Sequence, residues 1–506
     1  MDIRWGASAA AILLAGAIGA AAQNVVREES REQWSRDGSS AVAAALAMRT
    51  PPTRAKNVIL FVGDGMGVST VTAARILAGQ MLGGPGEDHQ LAFEAFPYLA
   101  LSKTYSVNQQ VADSAPTMTA MITGVKTGDG ILSLDQRAVH DDPASAEGRE
   151  LPTLLEIAED RGLSTGVVST ARLTHATPAA TYAHSVNRDW EDDAAMPPAA
   201  RATGYPDIAR QFAEFDHGDG IDVALGGGRS HFMPNTEADP EYPRVRGRRK
   251  DGRDLIAEWQ HRYADGTYVW NAAQFQAASA ATTRRLFGLF ERGHMQYEHD
   301  RSGDPAGEPS LTEMTAKAID ILSRNPRGFV LMVEAGRIDH AHHDGNAYRA
   351  LTDTIELSNA VRLAASRTSA DDTLIVVTAD HSHTLTISGS ATRGNPILGL
   401  VADNDAAGRP LPYPEVDRHG KPYTTLGYRN GPGASREVPS LRPILTFHDT
   451  ADPDYLQEAQ VPLASESHAG EDVAIYARGP ASQLFHGVQE QNYIFHVLAH
   501  ALGFAP

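Results

Sequence analysis

The sequence predicts an α/β fold with a large, mostly parallel central sheet and helices on both of its faces. Six short and almost entirely apolar runs give the strands, at 58–62, 165–169, 223–225, 329–333, 374–378 and 473–477. Strands that are buried on both faces have this composition, whereas half-exposed strands alternate. Helical stretches such as 152–161 and 310–324 lie between the runs. A chain of 506 residues is long enough for one such core with insertions.

Two segments interrupt this pattern. Residues 230–305 are rich in Arg, Asp, Tyr and Gly, and residues 389–465 are rich in Pro, Gly and Asn. We expect both to decorate the sheet rather than to fold separately, so residues 23–506 are predicted to form one domain. A polar lead-in at 24–55 contains one predicted helix near 31–48.

The N-terminus has the features of a secretory signal. Arg4 precedes an apolar run over residues 7–22, which ends on the small residues Ala20–Ala22. This predicts a signal peptide at 1–22 and export to the periplasm or the cell exterior. The alternative is a retained N-terminal anchor. No apolar tail follows Gly503, so we expect no lipid anchor and no stable attachment to a membrane.

Composition limits the chemistry. With 63 acidic and 44 basic residues the formal net charge is -19, so the chain has no overall field that would attract nucleic acid. An anionic substrate would need a local positive centre. The chain has no cysteine, which excludes disulfides, thiolate metal sites and thiol nucleophiles.

Carboxylates and imidazoles lie close to four of the predicted strands. They are Asp64 after 58–62, Glu334, Asp339 and His343 after 329–333, Asp380 and His381 after 374–378, and His468 before 473–477. A single carboxylate at a strand end is more often a helix cap or a surface residue. Several that converge would repel one another unless cations lay between them.

The residue types indicate which cations. Mixed carboxylate and imidazole ligands suit zinc, and sites made only of oxygen suit magnesium. Asp339 and His343 are four residues apart, so on a helix they can share one ion. His340 and His342 fall on other faces, where we expect them behind the ligands or in solvent.

The candidate nucleophile is Ser114, which precedes Ala115, Pro116 and a helical run to Ile122. A helix N-terminus stabilises an alkoxide and binds phosphate oxygens, and a metal can deprotonate a serine without a histidine base. The alternative is an ordinary N-cap serine. Arg188 could bind two phosphate oxygens at once, or could be a surface ion-pair partner.

Longer phrases identify a family. At 62–75, 336–340, 378–383 and 468–474 the chain resembles alkaline phosphatases, specifically their animal-type branch, and the resemblance extends over 28–502. It implies that 389–465 is a crown-like insertion, which in that branch covers the active site from the dimer partner. We therefore expect a homodimer.

The resemblance implies a role for each site residue. One Zn²⁺ would be held by Asp339, His343 and His468. The second Zn²⁺ would be held by Asp64, Asp380, His381 and Ser114. The Mg²⁺ would be held by Asp64, Thr177 and Glu334. Arg188 would clamp the phosphate, and His175 would order waters around magnesium. Thr177 stands where the animal-type pattern has Ser, and its hydroxyl can still coordinate.

A fourth ion, Ca²⁺ or Mg²⁺, is implied at Glu241, the Phe290 carbonyl, Glu291 and Glu308. The family usually has Asp where this chain has Glu308, so this site departs from the pattern.

The implied activity is hydrolysis of phosphate monoesters to an alcohol and inorganic phosphate through a phosphoserine intermediate. One alternative is a phosphodiesterase or sulfatase of the same fold, although Thr177 and Glu334 favour a third metal that such diesterases lack. A second is a phosphate-binding or metal-storing protein, which would be expected to have lost Ser114 or a ligand. A structural envelope protein would leave the ligands near the strand ends unexplained.

Overall fold

The computed structural model describes residues 30–434 and 442–504; the predicted signal peptide at 1–22 lies outside them. The strands are β1 Asn57–Gly63, β2 Tyr98–Lys103, β3 Ser164–Arg172, β4 Val223–Gly227, β5 Gly266–Val269, β6 Arg285–Leu289, β7 Phe329–Ala335, β8 Thr373–Ala379, β9 Ser382–His383, β10 Leu385–Ile387, β11 Leu426–Gly431, β12 Ala459–Pro462, β13 His468–Ala469, β14 Val473–Arg478 and β15 Val488–Glu490. The helices are α1 Arg31–Leu46, α2 Val68–Met81, α3 Ser114–Thr123, α4 Leu154–Asp160, α5 Ala176–Ala179, α6 Pro198–Ala202, α7 Ile208–Glu214, α8 Arg229–Phe232, α9 Leu255–Arg262, α10 Ala272–Ala277, α11 Leu311–Leu322, α12 Arg337–His343, α13 Ala347–Arg367, α14 Phe447–Thr450 and α15 Tyr493–Leu502.

Ten strands form one sheet in the order β15-β2-β14-β8-β1-β7-β3-β4-β6-β5. Strand β14 runs antiparallel to β8 and β2, and the other described pairings in this sheet are parallel. The predicted fold class is confirmed, and all six predicted strands are present. Strands β2, β5, β6 and β15 were not predicted, because they are short or carry polar residues among the apolar ones.

Strand β1 shows why the sheet needs helices on both faces. All seven of its residues are buried. The side chains of Val58, Leu60 and Val62 join one apolar cluster with α3, α4 and α15, whereas Ile59 and Phe61 join the opposite cluster with α2, α11 and α13. Successive side chains of a strand point to opposite faces, so each face requires its own helical layer.

The two predicted insertions differ in how they join the sheet. Segment 230–305 contributes β5 and β6, which extend the large sheet at one edge. Segment 389–465 contributes β11 and β12, which form a separate three-stranded sheet with β10. The assignment of 23–506 to one domain stays a prediction. None of the helices in the described part of the chain is both long and apolar enough to cross a membrane.

Strand β6 is anchored by an aromatic cluster, from which we predict a large loss of stability. The Phe287 ring is buried and lies 4.9–5.5 Å, centroid to centroid, from Phe212, Phe232, Trp259 and Tyr268. Phe287→Ala leaves a cavity among these rings, so we expect the free energy of unfolding to fall by about 3–5 kcal/mol. Urea unfolding followed by fluorescence measures this. The exposed Leu82 gives the control, since Leu82→Ala should change it by about 0.5 kcal/mol or less. Equal losses in the two variants would contradict the prediction.

Candidate active site

The order of the strands brings the candidate ligands to one edge. Strands β8, β1 and β7 are neighbours and parallel, so their carboxyl ends lie side by side. Asp64 follows β1, Asp380 follows β8, and Glu334 is the penultimate residue of β7. Helix α12 begins two residues after β7 ends and carries Asp339 and His343. This is the edge at which open α/β sheets bind their ligands.

The first cluster contains Asp339, His343 and His468. The Nε2 atoms of the two histidines lie 3.1 Å apart, and each is 3.4 Å from Asp339 Oδ1. The opposite ring nitrogens are already occupied, since His343 Nδ1 donates to the Glu466 carbonyl and His468 Nδ1 to the Ala112 carbonyl. In the neutral imidazoles, therefore, both Nε2 lone pairs face each other and the carboxylate. Three acceptors in this arrangement are suited to holding a cation between them.

The second cluster surrounds Ser114. His381 Nε2 lies 3.5 Å from Asp64 Oδ1 and 3.3 Å from Asp380 Oδ2. The Ser114 hydroxyl lies 3.2 Å from His381 Nε2 and 3.4 Å from Asp64 Oδ1. Asp380 is fixed by backbone donors, because its Oδ1 accepts from Gly65 N and His381 N at 2.9 Å each. Burial lowers the pKa of His381 well below its usual value and keeps the ring neutral.

The third cluster contains Asp64, Glu334 and His175, whose ligand atoms lie within 4.8 Å of one another. Burial, followed by the charges of Asp380, Asp339 and Glu334, raises the pKa of Asp64 well above its usual range. Burial is also the largest cause that raises the pKa of Glu334, to about 7. These raised pKa values mean that the protein groups around the two carboxyls supply too little positive charge to keep both of them ionised.

Several buried polar atoms at this edge have no hydrogen-bond partner among the described residues. They are Asp64 Oδ2, Asp380 Oδ2, Glu334 Oε1, Thr177 Oγ1, His175 Nδ1 and His381 Nδ1. An unpaired buried acceptor costs about 1–3 kcal/mol. The residues therefore fit cations. The imidazole and carboxylate groups suit zinc, and the oxygens of Asp64, Glu334 and Thr177 suit magnesium.

Ser114 is the first residue of α3 and not its cap. The N-cap is Asp113, whose Oδ1 accepts from Ala115 N at 2.7 Å. Arg188 lies beside this turn, with NH1 3.6 Å from Asp113 Oδ1 and NH2 2.9 Å from His175 Nε2. The serine hydroxyl is therefore not used to cap the helix, and the Arg188 guanidinium lies beside the residue that does cap it.

The residues implied for the fourth ion are only partly brought together. Glu241 and Glu291 group with Asp304, and their ligand atoms lie within 4.8 Å of one another. Glu308 is not part of this group. Its Oε1 accepts from Gln296 N at 2.8 Å, and burial is the largest cause that raises its pKa to about 9. Phe290 directly precedes Glu291. Asp304 is not among the ligands that the family resemblance implies.

Sequence reasoning missed two residues behind the first cluster, His383 and Glu466. His383 Nε2 donates to Asp339 Oδ1 at 2.7 Å, and His383 Nδ1 donates to Glu466 Oε2 at 2.5 Å. Burial acts to lower the pKa of His383, but the two carboxylates outweigh it and raise the pKa to about 9. His383 belongs to the 378–383 phrase, which was a sequence signal for it, whereas Glu466 lies outside the quoted phrases.

His340 and His342 were expected behind the ligands or in solvent, and the structure places His342 in the interior and leaves His340 half-buried. His342 Nε2 lies 3.0 Å from Thr70 Oγ1, and its Nδ1 lies 2.7 Å from the Tyr428 hydroxyl. The His340 ring packs 3.9 Å from that of His294, centroid to centroid.

A parallel sheet with a serine and clusters of carboxylates and imidazoles beyond its carboxyl edge defines a metal-binding hydrolase. The model of the alkaline phosphatase family matches residues 55–504. The chain therefore belongs to the alkaline phosphatase family, which makes it an enzyme that hydrolyses phosphate monoesters.

Full-length relatives agree. The chain is 46% identical to the tissue-nonspecific isozyme of alkaline phosphatase from Gallus gallus, over 95% of this chain and 91% of that protein. It is 44% identical to the Homo sapiens tissue-nonspecific isozyme, over 94% and 89%. These identities confirm the resemblance to the animal-type branch.

Solved structures agree on the fold. The alkaline phosphatase of Thermus thermophilus has a TM-score of 0.62 and 26% identity, with coverage of 90% of this chain and 93% of that one. The enzyme from the Antarctic bacterium TAB5 has a TM-score of 0.60 and 23% identity, with coverage of 90% and 100%.

The first cluster gives a prediction about metal content. His468→Ala removes one of three acceptors that face one another, so we expect the variant to retain about one metal ion fewer per chain. Elemental analysis after gel filtration measures the content. His486, which is exposed, provides the control, and His486→Ala should bind as much metal as the unmodified chain. Unchanged metal content in His468→Ala would rule out this ligand.

Proposed function

We propose that this chain hydrolyses phosphate monoesters in two steps, through a phosphorylated Ser114. The observation that carries the proposal is the position of the Ser114 hydroxyl, 3.2 Å from His381 Nε2 and 3.4 Å from Asp64 Oδ1, at the first turn of α3. In the first step Ser114 Oγ forms a bond to phosphorus and the bond from phosphorus to the leaving alcohol oxygen breaks. In the second step water displaces Ser114 Oγ and inorganic phosphate leaves.

The chain's own groups orient this displacement. Arg188 has a planar guanidinium that matches two phosphoryl oxygens, and Asp113 holds it from one side at 3.6 Å. The N-terminus of α3 places backbone N–H groups near the phosphoryl charge. The Ser114 hydroxyl lies 3.4 Å from Asp64 Oδ1 and 3.2 Å from His381 Nε2, so it stands among the atoms that would hold a zinc ion.

We further propose two Zn²⁺ and one Mg²⁺ for the three clusters. Zinc would be held by Asp339, His343 and His468 in one site and by Asp64, Asp380, His381 and Ser114 in the other. Magnesium would be held by Asp64, Glu334 and Thr177, with His175 beside it. When bound, these ions would supply the positive charge that favours the serine alkoxide and neutralises the phosphoryl oxygens.

The nucleophile is tested by removing its oxygen. Ser114→Ala eliminates the phosphoryl acceptor, so we expect kcat for a chromogenic phosphate monoester to fall by about 10³-fold or more. The matched control is Ser310→Ala, since Ser310 caps α11 away from the strand-end ligands. The control should lose only about 1 kcal/mol of stability and keep its turnover. Full activity in Ser114→Ala would exclude the proposed nucleophile.

The substrate class is tested with the matching diester of the same chromophore. We expect monoester turnover to exceed diester turnover, to disappear after chelation and to return with zinc. Equal or better diester turnover would instead support the phosphodiesterase alternative. Metal binding without turnover of either ester would support a storage protein.

A fourth ion, Ca²⁺ or Mg²⁺, is proposed at Glu241, the Phe290 carbonyl and Glu291. Glu308 is the ligand that the family pattern implies, and the grouping of Asp304 with Glu241 and Glu291 makes Asp304 a competing ligand. Calcium titration followed by calorimetry in Asp304→Asn and Glu308→Gln variants separates the two.

We also propose that the protein is exported and forms a homodimer. Exposed apolar side chains support a dimer, namely Leu99 of β2, Val107, Val111, Val488 of β15, and Trp34, Val42 and Leu46 of α1. Light scattering of the secreted protein would give about twice the mass of one chain.

A further inference from the structure

Glu466 is a buried carboxylate that the proposed mechanism does not use. It is 2% exposed, and each of its oxygens is occupied. Oε1 accepts from Thr384 N at 2.7 Å and from the Thr384 hydroxyl, and Oε2 accepts from His383 Nδ1 at 2.5 Å. A carboxylate with this many donors has a fixed orientation.

The fixed orientation is passed to the first cluster through His383. The opposite nitrogen of its ring, Nε2, donates to Asp339 Oδ1 at 2.7 Å. That oxygen is also the one that lies 3.4 Å from both His343 Nε2 and His468 Nε2. The relay Glu466–His383–Asp339 thus determines where one ligand oxygen points.

The backbone of Glu466 holds a second ligand. Its carbonyl accepts from His343 Nδ1 at 2.6 Å, and its N–H donates to the His343 carbonyl at 2.9 Å. The first contact selects the tautomer that leaves His343 Nε2 as an acceptor. One residue therefore orients two of the three groups in the cluster.

Glu466 is in turn fixed by the small sheet, which is the three-stranded sheet β10-β11-β12. Asn430 of β11 accepts from Ser467 N at 3.0 Å and donates to the Ser467 hydroxyl at 2.9 Å. A Cβ on Gly431, whose φ is +142°, would lie 3.2 Å from Glu466 Cβ, closer than most such contacts. Strand β11 is therefore the support against which residues 466–468 are placed.

We propose that Glu466 is a positioning residue, which holds Asp339 and His343 in the geometry that retains a metal ion at the first cluster. Through Glu466, the three-stranded sheet β10-β11-β12 affects how tightly the metal ion is retained and not the bond-breaking step. This rests on the proposed metal site, and it adds a residue that neither coordinates the ion nor touches the substrate.

The experiment compares three substitutions by zinc competition against a chromogenic chelator. Glu466→Ala removes the relay, so we expect zinc to bind about 10- to 100-fold more weakly. Glu466→Gln keeps the reach, because its amide can donate to His383 Nδ1 while His383 Nε2 still donates to Asp339. We expect a loss of about three-fold or less. Glu466→Asp keeps the charge but is too short to contact both partners, so it should retain zinc less well than the Gln variant.

The matched control is Glu458→Gln. Glu458 lies next to β12 in the small sheet and pairs with Arg442 at 2.6 Å, away from the histidines. It should bind zinc like the unmodified chain. Glu466→Ala is compared only if it folds, as judged by circular dichroism. If it does not fold, the zinc affinities of the Gln and Asp variants still show whether the length or the charge of the side chain at 466 determines zinc retention.

Turnover at saturating zinc separates positioning from catalysis. We expect kcat of Glu466→Ala to recover to within about three-fold of the unmodified chain once zinc is in excess. Unchanged zinc affinity in Glu466→Ala, better retention in the Asp than in the Gln variant, or a kcat that stays low at saturating zinc would each overturn the proposal. Absence of monoesterase turnover in the unmodified chain would instead refute the proposed function, and the zinc competition does not depend on that turnover.

Discussion

Three neighbouring parallel strands deliver more acceptors to one edge of the sheet than the protein itself can neutralise. Asp64, Glu334 and Asp380 are buried side by side, and each has an oxygen without a donor among the described residues. Full ionisation of this group without cations would cost several kcal/mol. The strand order β8-β1-β7 therefore builds a site that fits cations, and Ser114 and Arg188 lie beside it.

The same constraint explains how an acidic protein can act on an anion. The formal net charge of -19 repels phosphate esters at long range. Attraction must then come from a short-range centre, which Arg188, the N-terminus of α3 and the cations would form together. Screening at physiological salt limits the repulsion to about 8 Å from the surface, so a buried centre can dominate once a substrate is near.

The sequence predicted those elements whose signal is local. The buried strands are continuous apolar runs, and the ligands after β1, β7 and β8 follow directly from the rule that parallel sheets bind at their carboxyl ends. Strands β5 and β15, with four and three residues, are too short to show the hydrophobic pattern by which a strand is recognised. The pairing of His383 with Glu466 joins residues 83 positions apart, and neither carries a local pattern that indicates the other.

The three-stranded sheet also shows that an insertion can contain a part whose position is constrained by contacts with the active site. Residues 389–465 have the composition of surface decoration, yet two parts of the segment differ in their contacts. Residues 403–411 hydrogen-bond mainly among themselves, as Leu411 N does with the Asp403 carbonyl at 2.8 Å. In β11, by contrast, Tyr428 contacts His342 and Asn430 contacts Ser467. Because these contacts lead to the residues that we propose as metal ligands, we expect substitutions in β11 to affect the site and substitutions at 403–411 to change only the surface.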